Sequence, residues 1–102
     1  GPWATMYPPD DPPVGPISYQ PPERVRGVMI GLFGDASTRK AAQPTHAMVV
    51  NLDYGAAREV GVRGPARLEI YDPVSSRWTP VGGRRADVQL PQGGGCLLRV
   101  KP

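Results

Sequence analysis

Residues 45–54, THAMVVNLDY, form an apolar run whose length, alternation and β-branched content mark a buried strand. Side chains alternate along a strand, so Ala47, Val49 and Asn51 share one face and Met48, Val50, Leu52 and Tyr54 the other. Both faces are largely apolar, the pattern of a strand covered on two sides and therefore lying inside a sheet. Shorter runs of the same kind recur at 26–33 (RGVMIGLF), 58–62, 67–71 (RLEIY), 85–90 and 96–100, with turn residues between them. In these, Leu68, Ile70, Ala86, Val88 and Leu90 are expected to face the core. No stretch has a 3.6-residue apolar period, and helix caps are absent.

The spacing predicts an all-β domain, an antiparallel immunoglobulin-like β-sandwich of about seven to eight strands. One core is expected, because 102 residues are too few for two. Residues 1–24 carry eight of the fourteen prolines, which lack the N–H of a regular ladder, so this segment reads as a proline-rich N-terminal arm or linker before a sandwich at 25–102. Its Gly15–Tyr19 half is expected to pack on the sandwich, because spacers seldom hold aromatics in water. Gly1-Pro2 resembles a cleaved tag remnant, which would make the chain a piece of a larger protein. Glycines 27 and 31 inside a strand predict a bulge or a close approach. Trp78 is expected to follow a turn at 74–77, and 80–83 to form another.

The net charge of +3 comes from arginines scattered among acidic residues, with only Arg84-Arg85 adjacent. Such scatter argues against a nucleic-acid stripe. No run approaches the roughly twenty apolar residues of a membrane-spanning helix. Catalysis and metal binding find no constellation either. His46 and Cys96 are the only residues of their kinds and are fifty positions apart, too few for a zinc site, and Cys96 reads as a small buried hydrophobe. Asp53, Asp72 and Asp87 read as turn or solvated strand residues, and no serine sits in a nucleophile elbow. The reading is therefore no enzyme, no cofactor and no metal.

One order of features is familiar: an apolar strand ending in Asn51, then LEIYDP, an isolated Trp78, an alternating VQL, PQGGG and the closing CLLRV. Across Gly27–Val100, and most specifically in Leu90–Val100, it resembles the C-terminal antiparallel β-sandwich domains that follow the catalytic barrel in many bacterial glycoside hydrolases. The resemblance implies a noncatalytic accessory module, extracellular or periplasmic where the parent degrades polysaccharide, with the parent's catalytic domain as partner. Some such domains bind polysaccharide, and others only buttress the barrel. Sugar rings stack on aromatics with polar groups at the rim, so the candidate ligand-binding residues are Trp3, Tyr7, Tyr19 and Trp78. The two readings differ in what the surface should look like. A docking module exposes a contiguous apolar patch, and a sugar-binding module exposes aromatics rimmed by polar groups.

Overall fold

The computed structural model describes residues 2–35 and 43–101. Among the described residues nine strands follow in chain order: β1 Pro2–Tyr7, β2 Ser18–Tyr19, β3 Val28–Asp35, β4 His46–Asn51, β5 Arg58–Arg63, β6 Leu68–Asp72, β7 Arg77–Pro80, β8 Arg85–Leu90 and β9 Gly95–Val100. A six-stranded antiparallel sheet has the order β1-β3-β4-β9-β6-β7, and a three-stranded one the order β2-β5-β8. The inner faces of the two sheets enclose one core, with Val28, Ile30, Val49, Leu68 and Leu98 from the larger and Val60, Val62, Val88 and Leu90 from the smaller. The fold is the expected all-β sandwich, with nine strands where seven or eight were expected.

The extra strands come from segments that proline had seemed to exclude. Pro2 opens the six-residue strand and Pro8 follows its last residue, so neither interrupts it, and β1 takes an edge position, where a missing N–H is tolerated. The 80–83 turn likewise begins one residue late, because Pro80 closes β7 at the opposite edge of the same sheet. The arm is thus stitched to both sheets, by β1 to the larger and by β2 to the smaller, with Pro13, Ile17 and Tyr19 buried. The stretch between the 26–33 and 45–54 runs, residues 36–44, reads from its sequence as a polar loop and lies mostly outside the described residues.

The glycines of β3 mark close approach, not a bulge. Pairing runs unbroken from Pro2↔Asp35 to Tyr7↔Ile30. A Cβ at Gly34 would sit 2.6 Å from the Trp3 indole, and one at Gly31 would sit 2.8 Å from the Met6 sulfur. Each cross-strand neighbour therefore fills the space that its glycine leaves open.

At the far end of β4, Asn51 is completely buried and ties two turns to its own strand. Its Nδ2 donates to the Ala56 carbonyl at 2.8 Å and to the Pro91 carbonyl at 3.2 Å, and its Oδ1 accepts from the Asp53 N–H at 3.0 Å. The 52–57 turn and the β8–β9 turn are thereby held to the end of the central strand. Asn51→Leu keeps the volume but strands two carbonyls and one N–H, so urea unfolding is expected to show a loss of about 3 kcal/mol.

Candidate functional site

The four candidate aromatics do not converge. Trp3 and Tyr7 lie on the inner face of β1, half-buried against the core. Tyr19 is inside the core at 2% exposure, out of reach of any ring stacking from solvent. Trp78 stands on β7, opposite Tyr71 in the register, on the outer face of the large sheet. Tyr54, expected to be covered, is 85% exposed beyond the end of β4.

Trp78 belongs to a local cluster that sequence spacing could not assemble, since its members come from β4, β6, β7 and β9. The Arg99 guanidinium lies 4.4 Å from the centre of its ring. Tyr71 meets it at 5.2 Å and His46 edge-on at 5.7 Å. Arg99 Nε also donates to Glu69 Oε1 at 2.7 Å, and Glu69 is only 8% exposed. Burial, then the nearby Arg99 charge, pushes His46 below its ordinary range, so its ring is neutral at pH 7, and its Nδ1 lies 2.9 Å from Thr45 Oγ1. The Arg99 and Glu69 charges and His46 Nδ1 are already paired within the chain.

The cluster ends a much larger surface. The register places Met6, Met29, Gly31, Phe33, Met48, Val50, Gly95 and Leu97 on the same outer face as Tyr71 and Trp78. All three methionines of the chain and its single phenylalanine are on it. None of these side chains belongs to the core or packs against it, and Met6 is 52% exposed. Met48 and Val50 were expected to be covered. They lie on the central strand with one face in the core and the other open. The small sheet is different: β8 alternates strictly, with Ala86, Val88 and Leu90 buried and Arg85, Asp87 and Gln89 exposed. Its outer side carries the Arg85–Asp87 ion pair and the Gln89–Glu59 hydrogen bond, as suits a face in water.

Among the described residues no group of three or more His, Cys, Asp or Glu side chains is placed to hold a metal. Cys96 is partly buried against the core, and burial raises its thiol pKa. The chain has no match among family models, curated proteins or solved structures.

The Tyr19 hydroxyl is buried without a hydrogen-bond partner among the described residues, and desolvation pushes its pKa up to about 12 from 10.0. The unfolded chain therefore releases this proton first as pH rises. The contribution is fully present below pH 10 and is lost as pH climbs to about 12. Tyr19→Phe removes an unsatisfied polar group, so neutral-pH melts are expected to show equal or higher stability, by up to about 1 kcal/mol. The variant should also lose less stability than the parent chain when melts are repeated between those two pH values.

Proposed function

We propose that this chain is a noncatalytic accessory module of a carbohydrate-active enzyme, and that it works by docking the outer face of its six-stranded sheet onto a neighbouring domain. The observation that carries this reading is the contiguous apolar surface from Met6 to Trp78, beside a small sheet whose outer face is polar. A sheet covered on both sides has apolar residues on both faces of its strands, and β3, β4 and β9 are built in that way.

Two further features suit a dry interface. Arg99 and Glu69, the charged side chains that the register places in the middle of the face, are paired with each other, so covering them strands no charge. Methionine adapts to irregular neighbours, and three of them line the surface. The extent of the face also says something about the partner. Six strands at about 4.8 Å spacing and three rows of side chains bury on the order of 1,000 Å2 when both sides are counted. Free protein pairs of standard size need roughly 1,600 Å2, whereas domains of one polypeptide are held by about 600–1,500 Å2. The area favours a tethered catalytic domain. Polysaccharide attachment through Trp3, Tyr7, Tyr19 and Trp78 gains less support, since the four are dispersed and one is in the core.

The test is binding in trans to the catalytic domain of the parent enzyme. The chain is expected to associate with it and raise its melting temperature, and Met48→Glu or Leu97→Glu to abolish both effects. An apolar dye should bind the isolated chain and lose signal in the same variants. Retention on an insoluble polysaccharide that disappears with Trp78→Ala, without any association with the catalytic domain, would overturn the docking reading.

A further inference from the structure

The four edges of the two sheets are not equally protected. Edge strands present unpaired N–H and C=O groups, and folded proteins block them with short length, proline or charge. β2 has two residues and lies between Pro16 and Pro21. β7 has four and ends in Pro80. β8 puts Arg85 and Asp87 on its exposed side. β1 has none of these devices after its first residue. It runs six residues without a charge, keeps its register with β3 throughout, and among the described residues no strand pairs with its other side.

We propose that β1 is a self-association edge, where a second copy of this chain adds its own β1 antiparallel about a two-fold axis and joins two six-stranded sheets into one. Self-complementarity fixes the register. Trp3, Thr5 and Tyr7 face inward on β1, and Ala4 and Met6 outward. Antiparallel partners must point to the same side, so a two-fold that keeps both sandwiches on one side of the joined sheet can pass through Thr5. Thr5 then faces Thr5 of the second copy, Trp3 faces its Tyr7 twice over, and Ala4 faces its Met6. Threonine pairs and aromatic pairs are favourable cross-strand neighbours, and the contact brings no like charges together.

The side chains at this edge have room for such a partner. Trp3 and Tyr7 pack on the core yet are only half-buried, and Ala4, Thr5 and Met6 are exposed. The surface is separate from the centre of the docking face, which lies on β4 and β9, and the inference does not depend on what that face covers.

Sedimentation equilibrium of the 102-residue chain over a range of concentrations is the test. A reversible monomer–dimer equilibrium is expected. Thr5→Lys and Thr5→Glu should each leave a monomer, because the two-fold sets like charges opposite one another, and an equimolar mixture of the two should restore dimers. Met48→Glu, on the docking face, should leave the dimer intact. Thermal melts of both Thr5 variants are expected to match the parent monomer, since this side chain is exposed. A chain that stays monomeric at all concentrations would overturn the proposal, as would a dimer that survives both Thr5 variants or is lost with Met48→Glu.

Discussion

The side chain of Asn51 does what no apolar residue at the end of β4 could do. A sandwich strand must stop somewhere, and where it stops its backbone and that of the neighbouring turns leave the ladder while still shielded from water. Asn51 satisfies two carbonyls and one N–H at that point, and its own N–H reaches the Gly94 carbonyl at 2.9 Å. The next residues extend the closure: Leu52 N–H donates to the Gly27 carbonyl, and Arg58 spans from Asp53 to the Arg26 carbonyl. Three connections of distant sequence, before β3, before β5 and before β9, are thus fastened at one place. Apart from the Tyr19 hydroxyl, the core above them is apolar, and the polar groups at its Asn51 end are satisfied.

Much of the fold was legible because sandwich strands write their burial locally. In β8 the alternation Arg-Ala-Asp-Val-Gln-Leu gives both the strand and its inward face, and the structure agrees residue by residue. β1 was illegible for a physical reason. Proline frequency argues against strands in general but not against an edge strand that fits between two prolines, and nothing in PWATMY announces the glycines at 31 and 34 that its large side chains would cover. β7 was hidden by its length, since four residues ending in proline are indistinguishable from a turn until Tyr71 is seen opposite Trp78.

The candidate surface was half legible. Apolar residues on both faces of 45–54 correctly signalled a central strand, but one sequence cannot say whether the second cover comes from the same chain. Here the smaller sheet covers only the inner side. The Trp78 cluster depends on four strands that meet only when the sheet order β4-β9-β6-β7 is known, so no spacing rule could have found it.

The two tryptophans occupy separate environments. Trp3 lies over Gly34 at the β1 edge with its indole N–H buried and without a partner among the described residues, whereas Trp78 lies beneath Arg99 on the open face, away from the core. The chain therefore carries two intrinsic fluorophores with distinct local polarity, one for each of its exposed surfaces. Emission from single-tryptophan variants would report events at the sheet edge and on the sheet face independently, without any added label.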